Sequence, residues 1–147
     1  ETLNVVPIIE DAIDLMRTTL RQNGVECELI TTGPTISMRI DKIQLTQVLF
    51  NLIVNAIYFS PSGGTIHVRV IEEKDQVTLE IADEGTGIPD DVAPHIFDPF
   101  FTSKPIGEGS GLGLSVVHGI VKSHQGTITQ RKNSPKGSIF TLEFPKM

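Results

Sequence analysis

Three carboxamide side chains recur every fourth residue within one apolar stretch of the chain. Gln47, Asn51 and Asn55 are set among leucine, isoleucine and valine, and residues four apart lie one above another on an α-helix. Stacked amide oxygens suit a hard cation, because magnesium takes oxygen ligands and shares them with water and phosphates. The alternative is the solvent-facing stripe of an amphipathic helix.

A second candidate is Asp83, which follows an alternating apolar segment. The period of two over 77–81 puts its apolar side chains on one face of a strand and carries Asp83 onto the same face. A carboxylate aimed into a core needs a donor buried with it, and the exocyclic amine of adenine would be such a donor. Gly85 and Gly87 would let a flat ring approach the backbone. The alternative is an Asp-Gly turn that leaves a strand.

A third candidate is the glycine-rich segment 107–113, which has glycine at every second position and precedes a helix that begins near Leu112. Free N–H groups at a helix N-terminus attract phosphate. The spacing excludes the dinucleotide fingerprint, and the lack of Gly-Lys-Ser/Thr excludes a P-loop. Lys104 adds a cation just before this segment, although a lone lysine is more often simply solvated.

Alternating helices and strands must position these residues. The helices are predicted at 7–21, 41–59 and 112–123, and the strands at 5–6, 25–32, 36–40, 66–70, 77–81, 126–131 and 138–144. Asp41 and Gln44 form a capping-box pattern at the start of the longest helix. The loop 84–111 has one turn near 90–94, and so long a loop is usually functional or disordered. We expect an α+β, two-layer sandwich, with a mixed, mostly antiparallel sheet of about five strands and three helices on one face.

Length and composition predict one domain, 1–147. With 39% hydrophobic and 20% charged residues, a disordered or fibrous chain is excluded. The net charge of −6 argues against nucleic acid or an anionic membrane as a partner. Cys27 is predicted to be inert packing in a reducing interior, and no apolar stretch is long enough to span a membrane. We therefore expect a cytoplasmic domain, and the start at Glu1 suggests a piece of a longer protein.

Four short segments occur in a fixed order along the chain. They are QVLFNLIVNA at 47–56, DEGTG at 83–87, FDPFFTSK at 97–104 and GSGLGL at 109–114. They resemble the N box, first glycine box, F box and second glycine box of the ATP-binding catalytic domain of sensor histidine kinases. That domain belongs to a superfamily with gyrase, heat-shock chaperone and mismatch-repair ATPases. The resemblance implies ATP and Mg²⁺ as cofactors, and a flexible ATP lid at 97–109 within a loop of about 89–111.

The resemblance also implies roles for individual residues. Asn55 would be the main magnesium ligand, Asn51 its helper near the phosphates, and Asp83 the reader of adenine. Lys104 would be a third catalytic residue in contact with the phosphates. The other expected nucleotide-binding residues are Tyr58, Gly85, Gly87, Ile88, Phe101, Thr102, Ser103, Gly109, Ser110, Gly111, Leu112, Gly113, Leu114 and Ser138. Tyr58 departs from the family pattern, because many relatives carry a lysine there and a tyrosine cannot neutralise phosphate charge.

In this family the phosphate-accepting histidine lies in a separate dimerisation domain. None of the four histidines has its sequence setting; they are His67, His95, His118 and His124. The expected function is transfer of the ATP γ-phosphoryl group to that domain, for relay to a response regulator, with a homodimeric full-length protein. One alternative is ATP hydrolysis, which is disfavoured because Asn51 replaces the water-activating glutamate of the gyrase-like relatives. The other is a nucleotide-binding regulatory or protein-binding module without transfer.

Overall fold

A computed structural model describes residues 2–98 and 113–146, and this part of the chain contains four helices and seven strands. In chain order they are β1 (Thr2–Asn4), α1 (Val5–Leu15), α2 (Arg17–Gln22), β2 (Glu26–Thr31), β3 (Ser37–Arg39), α3 (Lys42–Phe59), β4 (Thr65–Glu72), β5 (Gln76–Ala82), α4 (Gly113–Ser123), β6 (Thr127–Lys132) and β7 (Ser138–Pro145). A single 3₁₀ turn, Ala93–His95, follows β5.

Five of the strands form one mixed sheet in the order β2-β4-β5-β7-β6. Only the β2–β4 pair is parallel, and the other three pairs are antiparallel. The predicted α+β fold with a mixed, mostly antiparallel sheet is therefore confirmed. β1 and β3 form a separate two-stranded antiparallel ribbon, which the sequence did not predict. β5 is the central strand of the sheet. The residue that follows it therefore lies at one end of the strands, midway across the sheet.

The core lies between this sheet and the helices. α3 contacts α1 and α4 and packs on β4 and β5, which explains why apolar residues occupy most of its circumference. Val48, Leu49 and Ile53 of α3 are completely buried, as are Ile66 and Val68 of β4. No described helix is both long and apolar enough to cross a bilayer.

The start of the chain differs from the prediction. Val5 and Val6 form the first turn of α1 and not a strand, because the Asn4 side-chain oxygen caps the helix by accepting the Val6 N–H at 3.3 Å. The same oxygen accepts the Ile36 N–H at 3.0 Å. The predicted helix 7–21 is divided at Met16, whose side chain is buried. The β-branched pair favours a strand locally, but the cap and the burial of both valines override that preference.

Two other local predictions are confirmed. The Asp41 side chain accepts the Gln44 N–H at 2.9 Å and caps α3. Cys27 is a buried free thiol in β2, and burial raises its pKa to about 11 because the thiolate is disfavoured away from water. Such a thiol is a packing group and not a nucleophile.

Candidate functional site

Asp83 lies immediately after the central strand β5 and is only 3% exposed. Its Oδ1 accepts the backbone N–H of Gly85 at 2.9 Å and that of Ser138 at 3.2 Å. Burial raises the pKa of this carboxyl above its ordinary value, and the two hydrogen bonds oppose that shift. The prediction of a carboxylate turned into the core side is confirmed. Oδ1 is occupied by backbone donors, so Oδ2 is the acceptor left for a ligand.

The turn after Asp83 packs tightly on the C-terminal end of α3. A Cβ on Gly85 would overlap the carbonyl oxygen of Phe59, so only glycine fits there. Gly87 has a φ of +79°, and a Cβ on it would lie 3.3 Å from the carbonyl oxygen of Gly137. Ile88 follows and packs, partly buried, against the core. The glycines at 85 and 87 therefore allow close backbone packing. Their other predicted role, to let a flat ring approach the backbone, stays a prediction.

The three carboxamides lie along one edge of α3, as their spacing predicted. Gln47 is exposed, whereas Asn51 and Asn55 are half-buried. Asn51 donates from Nδ2 to the carbonyl oxygen of Gly113 at 3.3 Å, which joins α3 to the start of α4. Within residues 2–98 and 113–146, the Asn55 carboxamide forms no hydrogen bond.

α3 connects the two halves of the candidate site. Its C-terminal end meets the Asp83–Gly85 turn at Phe59, and Asn51, two turns earlier, meets α4 at Gly113. Eight residues separate Asn51 from Phe59, which is about 12 Å at a rise of 1.5 Å per residue. Asn55 and Tyr58 lie between them. Of the predicted residues that the structure describes, Asn51, Asn55 and Tyr58 thus lie on α3, and Gly85 and Gly113 lie against it.

The remaining described candidates border this edge. The Tyr58 side chain is 37% exposed, and its ring meets that of Phe59 edge-on at a centroid distance of 4.9 Å. Leu114 is partly buried against the core. Ser138 is 3% exposed at the start of β7 and contributes its backbone N–H to Asp83.

The side-chain oxygens along this edge of α3 are suitable ligands for magnesium. In the described residues no group of three or more His, Cys, Asp or Glu could hold a metal ion, which excludes a thiolate or multi-histidine centre there. Asn55 and Asn51 offer amide oxygens one helical turn apart. Few protein ligands, all of them oxygen, are what Mg²⁺ uses when phosphates complete its coordination.

Comparison with known proteins decides the family. The model of the histidine kinase-, DNA gyrase B- and HSP90-like ATPase family matches residues 40–147. The chain belongs to this family. It is similar to sporulation kinase A of Bacillus subtilis, with 37% identity over 146 residues that make up 99% of this chain and 24% of that protein. The chain thus spans about a quarter of the length of that relative.

Solved structures place the chain among the histidine kinase members of the family. The nucleotide-free catalytic domain of histidine kinase ThkA superposes with a TM-score of 0.90 and 28% identity, covering 99% of this chain and 97% of that one. The structure of ThkA in complex with the response regulator TrrA matches with a TM-score of 0.86 and 27% identity, over 100% of this chain and 42% of that one. The chain is therefore a histidine kinase-type, ATP-binding catalytic domain.

Eight predicted site residues of this catalytic domain lie outside the described residues and stay predictions. They are Phe101, Thr102, Ser103, Lys104, Gly109, Ser110, Gly111 and Leu112. Phe97, the first residue of the F box, is described, and its ring lies 5.4 Å from that of His118 and 6.3 Å from that of Phe140. The first residue of the F box therefore packs against aromatic rings of α4 and β7.

Sequence reasoning missed three residues that shape the Asp83 half of the catalytic domain. Asn133 donates from Nδ2 to the Asp83 carbonyl oxygen at 2.9 Å. Gly137 packs against the same carbonyl, and Phe59 packs against Gly85. An Asn-Ser-Pro-Lys-Gly segment predicts a turn, but no local signal shows that the turn meets a residue 50 positions earlier.

Proposed function

We propose that this catalytic domain transfers the γ-phosphoryl group of Mg-ATP to a histidine of a separate dimerisation domain of its own protein. The phosphoryl group then passes to an aspartate in the receiver domain of a response regulator. The observation that carries the proposal is the arrangement along α3. The turn with a buried carboxylate for the base packs on the C-terminal end of this helix, and the helix itself carries two amides for the metal. The complex of ThkA with a response regulator supports the choice of partner.

We infer that Asp83 recognises adenine through Oδ2. Oδ1 already accepts two backbone N–H groups, so the carboxylate is held in one orientation and presents its second oxygen as a strong acceptor. The exocyclic amine of adenine is a donor of matching chemistry. Gly87, Ile88 and Ser138 would border the base, and Tyr58 would pack on or hydrogen-bond the nucleotide.

Asn55 and Asn51 would hold Mg²⁺ and the phosphates. When bound, Mg²⁺ supplies positive charge that offsets the charge of the transferring group. α4 begins at Gly113, whose carbonyl oxygen accepts a hydrogen bond from Asn51. The N-terminus of this helix would present its backbone N–H groups to the phosphates. Phosphoryl transfer needs positioning and electrostatic stabilisation more than covalent chemistry from the protein. Lys104 and the second glycine box would complete the phosphate contacts.

Hydrolysis is disfavoured by Asn51. An amide cannot take a proton from water, and the Asn51 amide already donates to Gly113. The acceptor is therefore expected to be a protein histidine and not water. We place the domain in the cytoplasm, within a full-length homodimer.

A transfer assay tests the proposal directly. The domain is incubated with γ-labelled ATP, Mg²⁺ and the separately produced dimerisation domain of its own protein. We expect label on the dimerisation domain, no label on a variant whose acceptor histidine is replaced, and slow release of free phosphate. Rapid steady-state phosphate release with no labelled protein would show a hydrolase. ATP binding with neither transfer nor hydrolysis would show a regulatory module.

A further inference from the structure

The turn that joins β6 to β7, residues 133–137, lies against the backbone of Asp83. Asn133 donates from Nδ2 to the Asp83 carbonyl oxygen at 2.9 Å, and its own Oδ1 accepts the Ser134 N–H at 2.9 Å. The Asn133 N–H donates to the Gly137 carbonyl oxygen at 2.9 Å and closes the turn. Both ends of the Asn133 amide are engaged, so the orientation of this half-buried side chain is fixed.

Asp83 is joined to this side of the molecule by three hydrogen bonds. Its N–H donates to the Ser138 carbonyl oxygen at 2.9 Å, and its Oδ1 accepts the Ser138 N–H at 3.2 Å. The third bond is the one from Asn133 to its carbonyl oxygen. Because Asp83 lies one residue past the end of β5, these bonds replace the regular ladder as the restraint on its backbone.

The fit between the turn and Asp83 is close. Gly137 has a φ of +106°, and a Cβ on it would overlap the Asp83 carbonyl oxygen. The Gly137 carbonyl oxygen in turn lies 3.3 Å from the position a Cβ on Gly87 would take. The turn therefore borders two residues that we assign to the base pocket.

We propose that Asn133 is a positioning residue that sets the selectivity of the domain for adenine. This inference rests on the proposed function, in which Asp83 Oδ2 accepts the exocyclic amine of the base. The direction of Oδ2 follows from the Asp83 backbone, since Oδ1 is already held by Gly85 and Ser138. A hydrogen bond weakens steeply as its angle departs from linearity. Asn133 therefore acts through Asp83, without touching the nucleotide.

The Asn133→Asp variant tests this with little change of shape. It keeps an oxygen for the Ser134 N–H but replaces the donor to Asp83 with an acceptor. The probes are ATP and inosine triphosphate, which has a carbonyl in place of the exocyclic amine, with dissociation constants measured by calorimetry. We expect Asn133→Asp to weaken ATP about fivefold to tenfold, the effect of losing part of one charge-assisted hydrogen bond. Inosine triphosphate binding should stay within about twofold, so the preference for ATP falls.

Two further variants keep the test decisive. Asn133→Gln retains a donor and should keep most of the preference. If the aspartate variant does not fold, Asn133→Ala, which removes the donor without adding a charge, takes its place in the comparison. Arg131→Ala removes an ion pair between β6 of the same hairpin and Glu80 of β5, whose N–O distance is 3.2 Å. It should leave the preference unchanged.

The outcomes separate the two proposals. Equal weakening of both nucleotides in Asn133→Asp, or no weakening, overturns the role of Asn133 while leaving the proposed function intact. A wild-type domain that does not bind ATP, or binds both nucleotides alike, overturns the assignment of Asp83 and this inference with it.

Discussion

The two ends of the candidate site are organised in different ways. At the Asp83 end, backbone groups of Gly85 and Ser138 and the side chain of Asn133 converge on one residue, with four hydrogen bonds besides close glycine contacts. At the Asn55 end, the described part of the chain shows one side-chain hydrogen bond, from Asn51 to Gly113. The proposed base end is thus held mainly by backbone contacts, whereas the proposed metal end consists of side chains of a single helix.

This difference predicts how each end responds to change. Backbone hydrogen bonds survive most substitutions, so the geometry of the base end depends on a few glycines and on Asn133. At the proposed metal end the two carboxamides are side chains, so single changes there should remove function and leave the fold nearly intact. Variants at each end can therefore be compared by their separate effects on binding, transfer and stability.

The largest effect is expected for Asn55→Ala. Removing an oxygen ligand of Mg²⁺ should slow transfer to the dimerisation domain by about 100-fold or more, equivalent to roughly 3 kcal/mol of transition-state stabilisation. The unfolding free energy should barely change. The initial rate of label transfer measures this, and Gln47→Ala, one stripe position beyond Asn51, is the matched control. Equal rates for wild type and Asn55→Ala would remove Asn55 from the metal site.

The next largest effect is expected for Asp83→Asn, which should bind ATP more weakly. Asparagine keeps an oxygen for the Gly85 and Ser138 N–H groups but offers no charged acceptor to the base. A hydrogen bond to a charged group contributes roughly 1.5 to 3 kcal/mol, so ATP should bind about 10-fold to 150-fold more weakly. Calorimetry measures the change, with Asp75→Asn as control, an exposed aspartate at the opposite end of β5. Wild-type affinity in Asp83→Asn would place the base elsewhere.

A smaller effect is expected for Asn51→Asp, which removes the donor to the Gly113 carbonyl oxygen. Loss of this half-buried hydrogen bond should lower the unfolding free energy by about 1 kcal/mol. Transfer should slow, because the start of α4 is no longer held against α3. Denaturant unfolding and transfer rates test this together. If the transfer rate stayed at the wild-type value, the link between α3 and α4 would be structural only.

The smallest effect concerns stability and pH. Burial raises the folded-state pKa of Asp83 above its ordinary value of 3.8, so the folded state binds this proton more tightly than the unfolded state. The stability that Asp83 contributes is then present below pH 3.8 and is lost as pH rises through the folded-state pKa. Asp83→Asn should accordingly gain stability relative to wild type between pH 4 and pH 7, without nucleotide. Denaturant titrations at both pH values measure the difference, and a constant difference contradicts it.

Much of the fold was predictable because it rests on local patterns. The cap at Asp41, the apolar circumference of α3 and the alternation in β4 and β5 are all properties of neighbouring residues. Asp83 was also predictable, since the period of two alone carries it to the buried face. The four boxes, each a short local sequence pattern, indicate the family.

The remainder depends on contacts between distant residues. Val5 and Val6 form a helix because the Asn4 side chain accepts two N–H groups. One belongs to Val6, and the other belongs to Ile36, which lies 32 positions later in the chain. Asn133 and Asp83 are 50 positions apart in the sequence and are joined by a hydrogen bond. The sequence around Asn133 indicates only that the chain reverses there. Neither contact has a local pattern, because each exists only once the sheet has assembled.

The role of α3 as the link between the two ends has a consequence for insertions and deletions. One helical residue adds 1.5 Å of length and about 100° of rotation, so a single deletion between Asn55 and Phe59 would turn the metal ligands to another face while the adenine turn stayed in place. The number of residues along this one helix is therefore a constraint that no repacking of side chains can replace.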